Sequence, residues 1–231
     1  MDIAVIPARS GSKGLPGKNL LQFKGVSLLR HAIHTAEKAG VFSSIIVSTD
    51  SHEYAEEAAG TVAEVPFLRD PLLARDCSKV SDAIIDLVNK CEGAQRWRTI
   101  SILEPTCPLR TIQMVKDCLF ATTASDDVDS ALTLSKVPLK FHYRKQFVLQ
   151  DTTARLADSS GVNVNRQELG NAFIRNGAAY CVRVNSLLRY KHVPCGKIVG
   201  IVIDEELVNI DDLQDYQTLL SYEMMSKHGD I

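Results

Sequence analysis

The first apolar run of the chain is Ile3-Ala4-Val5-Ile6, and it leads into the stretch Arg9-Ser10-Gly11-Ser12-Lys13-Gly14-Leu15-Pro16-Gly17-Lys18-Asn19. The apolar run favours a buried strand, and the glycines after it allow backbone N–H groups to turn toward an anion. The interspersed arginine and lysines add cations that suit phosphate oxygens. Because open α/β sheets bind ligands at the carboxyl ends of their strands, we predict a polyphosphate-binding loop here. The alternative interpretation is a surface loop with ordinary cations.

Neither of the two common phosphate-binding patterns fits this loop. In the Walker A frame, Ser12 stands where the first glycine belongs and Asn19 stands where the Mg²⁺-binding hydroxyl belongs. The dinucleotide fingerprint also fails, because its glycines should follow Gly-x-Gly-x-x-Gly and here they fall at Gly11, Gly14 and Gly17. The loop therefore predicts a different class of nucleotide site.

Runs with strand and helix character alternate along the chain. The predicted strands cover 3–8, 45–48, 62–65, 99–103, 178–184 and 198–203. The predicted helices cover 28–39, 52–60, 80–91, 113–122 and 212–227, the last capped by Asp211 or Asp212. Such alternation, with nearly continuous apolar strands, predicts a mostly parallel sheet with helices on both faces.

Residues 136–175 break this alternation with a long polar segment. It exceeds the length of an ordinary loop, so it is interpreted as a small subdomain or a partner-binding arm. The α/β domain is accordingly assigned to 1–135 and 176–231.

Composition is that of an ordinary globular domain. The 231 residues are 45% hydrophobic and 23% charged. A net charge of −2 gives no support to nucleic-acid binding, and no apolar stretch reaches the length of a membrane span. The chain enters a strand at once, so no signal peptide is expected. The six cysteines are scattered, which disfavours a zinc site or a disulfide framework and fits the reducing cytoplasm.

Polar residues follow several predicted strands. Asp50 is interpreted as a ribose or metal contact or as a helix cap, and Arg69 as a reader of a base edge or as a solvated turn cation. Asn209 and Asp211 lie on the same side of an extended backbone. Their oxygens suit Mg²⁺ beside phosphate, although a strand edge running into a helix cap is the simpler alternative.

These segments together resemble the CMP-sialic acid synthetases (acylneuraminate cytidylyltransferases). The resemblance spans nearly the whole chain and rests on five motifs in order: Ile6-Pro7-Ala8-Arg9-Ser10-Gly11-Ser12-Lys13-Gly14-Leu15-Pro16-Gly17-Lys18-Asn19, Ile46-Val47-Ser48-Thr49-Asp50, Glu104-Pro105-Thr106-Cys107-Pro108-Leu109-Arg110, Asn176-Gly177-Ala178-Ala179-Tyr180 and Asn209-Ile210-Asp211.

The resemblance implies a fold, a reaction and partners. The fold is a three-layer α/β/α Rossmann-like nucleotide-binding domain with a mostly parallel sheet and a small dimerisation arm at 136–175. The reaction transfers CMP from CTP to the anomeric hydroxyl of a sialic-acid-like 2-keto sugar acid, releases pyrophosphate and uses Mg²⁺. The partners are CTP, the sugar acid and a second copy of the chain, whose arm reaches into the first copy's site. Neither nucleic acid nor a membrane is expected to take part.

The resemblance also assigns site residues. Lys18 is expected on the α-phosphate, Arg9 and Lys13 on the leaving group, and Asp211 on the metal, where it also helps to deprotonate the sugar through a metal-bound water. The other expected nucleotide contacts are Ala8, Ser10, Gly11, Asn19, Arg69, Asp76 and Ser78. The expected substrate contacts are Glu104, Thr106, Lys140, Arg166, Phe173 and Asn176, and Asn209 is the second metal ligand.

Three motifs depart from the family pattern. Glu104 and Cys107 stand where the family has Gln and Ser, Asn209 stands where it has Asp, and Ile174-Arg175 replaces Arg-Pro. These differences leave open pseudaminic acid, legionaminic acid or another 2-keto-3-deoxy sugar acid as the acceptor, or a catalytically weakened nucleotide-binding relative. Gly14 counts against Kdo, whose activating enzymes carry Arg before Leu-Pro-Gly-Lys.

Overall fold

The computed structural model describes residues 1–161 and 165–228. The strands of this part of the chain are β1 (Asp2–Pro7), β2 (Gln22–Phe23), β3 (Val26–Ser27), β4 (Ser44–Ser48), β5 (Thr99–Ile102), β6 (Ser130–Lys136), β7 (Phe147–Gln150), β8 (Thr153–Leu156), β9 (Phe173–Arg183) and β10 (Ile198–Ile203). The α-helices are α1 (Leu28–Ala39), α2 (His52–Ala58), α3 (Val80–Lys90), α4 (Ile112–Thr123), α5 (Val184–Tyr190) and α6 (Leu213–His228).

Six strands form the central sheet in the order β10–β6–β9–β5–β1–β4. β1 runs parallel to β4 and β5, and β6 runs parallel to β10. β9 is antiparallel to both of its neighbours, β5 and β6. The predicted mostly parallel sheet is confirmed, with β9 as its antiparallel member.

Both faces of the sheet are covered, which makes the three layers. β1 alternates its side chains: Ala4 and Ile6 pack in the core beneath α1, α2 and α4, whereas Ile3 and Val5 pack in the core beneath α3 and α5. All four are essentially inaccessible to solvent. A strand buried on both faces must be apolar at every position, which is why β1 reads as a continuous run in the sequence.

Some predicted elements agree with the structure and others do not. Helix α1 has the predicted bounds, with the hydroxyl of Ser27 accepting from the N–H of Arg30 and a left-handed Gly40 at its end. The predicted strand at 62–65 is wrong, because its pairing is a single bridge from Glu64 to Ile46. β6 was not predicted. It ends at Lys136, and β9 begins at Phe173, so the central sheet includes four residues of the predicted arm: Lys136, Phe173, Ile174 and Arg175.

Helix α6 packs against the short β2–β3 hairpin and fixes the segment before it. Val208, Ile210 and Leu219 are buried in a common cluster with Phe23. The carboxylate of Asp212 accepts from two N–H groups of the first turn, so Asp212 is the cap. Burial of Val208 and Ile210 directs the alternate residues of this extended segment toward the site.

The arm projects a small hairpin formed by β7 and β8. Its pairing register places Phe147 and Leu149 on one face, and these side chains are 61% and 69% exposed. Among the described residues, no helix has the length and apolarity needed to cross a membrane.

Candidate functional site

The carboxyl ends of β1 and β5 meet the segments that follow β4 and β10 around a cavity of about 200 Å³. Its lining residues are Pro7, Arg9, Ser12, Lys18, Asn19, Arg69, Val80, Glu104, Pro105, Thr106, Asn209 and Asp211. Eight of them were predicted as site residues from sequence: Arg9, Lys18, Asn19, Arg69, Glu104, Thr106, Asn209 and Asp211. The predicted loop therefore shares one cavity with the predicted metal and acceptor residues.

Lys18 joins the first loop to the far end of the chain. Its Nζ donates to the carbonyl of Ile210 at 3.0 Å and lies 3.1 Å from Oδ1 of Asp211. The loop also passes close to this segment at Gly14, where an added Cβ would lie 2.5 Å from the Asp211 carbonyl oxygen. Glycine is therefore required at position 14 for the loop to approach Asp211.

Asp76 neutralises the other two loop cations. Its carboxylate lies 3.1 Å from Nη1 of Arg9 and 2.7 Å from Nζ of Lys13. The hydrogen bond from Lys13 lowers the pKa of Asp76 below its ordinary value. Asp76 was predicted as a nucleotide contact. In this arrangement its carboxylate lies where a bound anion would contact the loop cations.

Arg69 is a buried part of the cavity wall. It is 6% exposed, and its Nε donates to the hydroxyl of Ser48 at 3.1 Å. The alternative of a solvated turn cation is therefore wrong. Asp50 accepts from the N–H and the hydroxyl of Ser10, at 2.9 and 2.7 Å, and thereby secures the first loop. The cap of α2 is Ser51, so the cap interpretation of Asp50 is also wrong.

Glu104 stands at the end of β5 in the wall between this cavity and a second one. Burial raises the pKa of its carboxyl, while the positive charges of Arg110 and Lys18 act in the opposite direction. No hydrogen bond or ion pair engages this carboxylate within residues 1–161 and 165–228. The guanidinium of buried Arg110 instead donates through Nη2 to the Glu104 backbone carbonyl.

The second cavity has a volume of about 680 Å³ and lies beside the first. It is lined by Lys79, Val80, Ser81, Ile102, Glu104, Arg175, Tyr180, His192, Val193, Asn209 and Asp211. Burial and the negative charge of Glu104 raise the pKa of Tyr180 to about 12. Lys79, Tyr180 and His192 were missed as site residues, because each lies in a separate segment and only the folded sheet brings them to Glu104.

Asn209 and Asp211 line both cavities. The Oδ1 atom of Asn209 is buried and has no hydrogen-bond partner among the described residues. In the same part of the chain, no three His, Cys, Asp or Glu side chains cluster closely enough to hold a metal by themselves. A cation here would therefore need ligands from a bound substrate or from water.

Several predicted contacts lie away from these cavities. Ser78 donates to the carbonyl of Leu72, and Asn176 bonds Thr133 and Ser135, so both are engaged within the fold. The remaining residues of this group are Ala8, Ser10, Gly11, Lys13, Asp76, Lys140, Arg166 and Phe173; none of them lines either cavity of the single chain.

Comparison with known proteins identifies the family. The model of the family described as Cytidylyltransferase matches residues 3–194. The chain belongs to the cytidylyltransferase family. This confirms the resemblance inferred from the five motifs.

Named relatives of this cytidylyltransferase-family chain act on different sugars. An N-acylneuraminate cytidylyltransferase of Streptococcus agalactiae is 32% identical over 93% of this chain and 51% of its own length. A CMP-N,N'-diacetyllegionaminic acid synthase of Legionella pneumophila is 40% identical over 49% of this chain and 50% of its own length. A pseudaminic acid cytidylyltransferase of Campylobacter jejuni is 25% identical over 94% of this chain and 93% of its own length. The matched segments cover about half the length of the Streptococcus and Legionella proteins.

A solved structure shares the fold. A CMP:2-keto-3-deoxy-manno-octonic acid synthetase in complex with CTP superposes with a TM-score of 0.71 at 19% identity, over 96% of this chain and 99% of the other. At that identity the match establishes the architecture and leaves the choice of sugar open.

Proposed function

We propose that the protein transfers CMP from CTP to the anomeric hydroxyl of a sialic-acid-like 2-keto sugar acid and releases pyrophosphate. The observation that carries this proposal is the joining of two cavities at Glu104: one with the phosphate-loop residues Arg9 and Lys18, and a larger one with further cations. The family and the names of the relatives support the same reaction.

CTP would bind at the smaller cavity, with its triphosphate on the loop. Lys18 would hold the α-phosphate. Arg9 and Lys13 would release the carboxylate of Asp76 and bind the β- and γ-phosphates instead. Arg69 in the same wall is placed to meet the base. Phosphoryl-type transfer depends chiefly on positioning and on stabilising charge at the phosphate oxygens, and fixed cations supply both.

Mg²⁺ fits the oxygen side of this cavity. The unpartnered Oδ1 of Asn209 and the exposed carboxylate of Asp211 are suitable ligands, and phosphate oxygens would complete the set. When bound, the cation would neutralise charge on the phosphates. Lys18 would then exchange its contact with Asp211 for the α-phosphate.

The sugar acid fits the larger cavity. Its volume of about 680 Å³ lies within the range of small-molecule sites. Lys79 and Arg175 can meet the acceptor's carboxylate through charge-assisted hydrogen bonds. The relatives differ in their sugars, so pseudaminic and legionaminic acids are the alternative acceptors.

A homodimer would complete the site. Lys140 and Arg166, predicted as acceptor contacts, do not line the cavities of their own chain, so they would serve the site of the partner. The exposed apolar face of the β7–β8 hairpin supports such an association, since an isolated two-stranded hairpin has little stability of its own. The scattered thiols fit a cytoplasmic setting.

The deciding experiment is a pyrophosphate-release assay with CTP, Mg²⁺ and a panel of 2-keto sugar acids, repeated with EDTA. We expect release with at least one nine-carbon acid and none after chelation. Binding of CTP without release for any acceptor would favour the weakened nucleotide-binding relative. Release that persists in EDTA would contradict the metal assignment alone.

A further inference from the structure

The two cavities meet at four residues. Val80, Glu104, Asn209 and Asp211 line both of them. If the nucleotide occupies one cavity and the acceptor the other, the attacking hydroxyl must reach the α-phosphorus where the cavities join. A group that accepts the hydroxyl proton must lie within hydrogen-bond reach of that point.

Among these four, only one side chain is suited to accept a proton. Val80 has no proton acceptor of this kind, and the Asn209 amide is far too weak a base. Asp211 is 80% exposed and already pairs with Lys18 at 3.1 Å, which favours its role as an ion-pair partner or metal ligand. The carboxylate of Glu104 is the remaining base, and it is not engaged by any side chain in the described part of the chain.

The surroundings of Glu104 are suited to that task. The residue is half-buried, and its backbone carbonyl is held by the guanidinium of Arg110. The charged groups that face it are Arg110, Lys18 and Arg175, which are positive, and Asp211, which is negative. Burial raises the pKa of its carboxyl, which makes the carboxylate a stronger base. Tyr180, on the neighbouring strand β9, stays protonated beside it.

We propose that Glu104 is the general base of the transfer reaction. This inference rests on the proposed function. The O–H bond of the acceptor's anomeric hydroxyl breaks and its proton passes to the Glu104 carboxylate, while that oxygen forms a bond to the α-phosphorus of CTP. The bond from the α-phosphorus to the bridging oxygen breaks, and pyrophosphate leaves with that electron pair. Glu104 then releases the proton to water.

The role predicts a distinct kinetic signature. Glu104 must be ionised in the enzyme–substrate complex, so kcat should fall on the acid side as its carboxyl becomes protonated. Glu104→Gln has nearly the same shape and removes the base, so we expect kcat to fall by about 10²-fold or more. The KM for CTP should change little, because the phosphate-loop residues are retained. The acid limb of the kcat profile should disappear.

The experiment compares wild type, Glu104→Gln, Glu104→Ala and Glu92→Gln, an exposed carboxylate on the surface. Glu92→Gln should match the wild type. Added formate should restore part of the turnover of Glu104→Ala and leave Glu104→Gln unchanged, which a purely structural role would not produce. Equal kcat and an unchanged acid limb in Glu104→Gln would overturn the inference, as would a wild-type kcat with no acid limb. Wild-type inactivity with every acceptor would instead overturn the proposed function.

Discussion

The loop at 9–19, proposed above to bind phosphate, and the β7–β8 hairpin of the arm are both largely exposed, but they differ in how their side chains are satisfied. The loop cations pair with carboxylates from distant segments: Lys18 with Asp211, and Arg9 and Lys13 with Asp76. The hairpin leaves Phe147 and Leu149 largely exposed. The loop cations are therefore neutralised within their own chain, whereas the hairpin leaves an apolar face exposed.

The largest effect is expected at the loop, from Lys18→Ala. Loss of the cation proposed for the α-phosphate should lower kcat/KM by about 10²- to 10³-fold, as the loss of one preorganised donor does elsewhere. Stability should change by only about 1 kcal/mol, since the side chain makes one hydrogen bond to a backbone carbonyl in addition to its ion pair. Steady-state kinetics and thermal unfolding measure the two quantities.

Lys38→Ala provides the control for Lys18→Ala, because Lys38 is exposed on α1 far along the chain from the loop. It should leave kcat/KM unchanged. If Lys18→Ala kept wild-type activity, the assignment of the loop to phosphate would be wrong. The ion pairs of the loop would then have a structural role alone.

An intermediate effect is expected in the arm, from Leu149→Lys. Burying this side chain against a partner would contribute about 1.5–3 kcal/mol, so the substitution should weaken self-association by about tenfold or more. Val148→Lys is the matched control, since Val148 is on the opposite face of the same hairpin. Sedimentation velocity over a dilution series measures both variants. Equal weakening by the two, or a monomeric wild type, would contradict a dimer formed through this face.

The smallest effect is expected from Asp76→Asn, which removes the internal anion from the loop. With Arg9 and Lys13 released, the KM for CTP should fall by a few-fold, about the size of an exposed ion pair. Asp86→Asn, which breaks a surface pair with Lys90, is the control for the charge change. A rise in the KM for CTP would instead support the original prediction that Asp76 contacts the nucleotide directly.

Sequence reasoning succeeded where a pattern is local. The run at β1 and the periodicity of α1 predicted both elements, because burial on both faces of a strand and on one face of a helix each impose a spacing on neighbouring residues. The strand at 62–65 failed because short apolar runs are ambiguous. β6 was missed because no element was predicted between the helix at 113–122 and the arm.

The sequence by itself determined the α/β architecture, the cationic glycine loop after β1 and the family to which the motifs point. Only the tertiary structure decided which groups meet: it paired Asp76 with two loop cations, buried Arg69, and brought Tyr180 and Arg175 to Glu104. The physical reason is that the apolar spacing of a helix or a strand reflects the burial of residues that are close together in the chain. Contacts at the edge of a sheet join residues from separate strands. The sequence separation of such residues follows no regular period, so a pattern in the sequence cannot reveal these contacts.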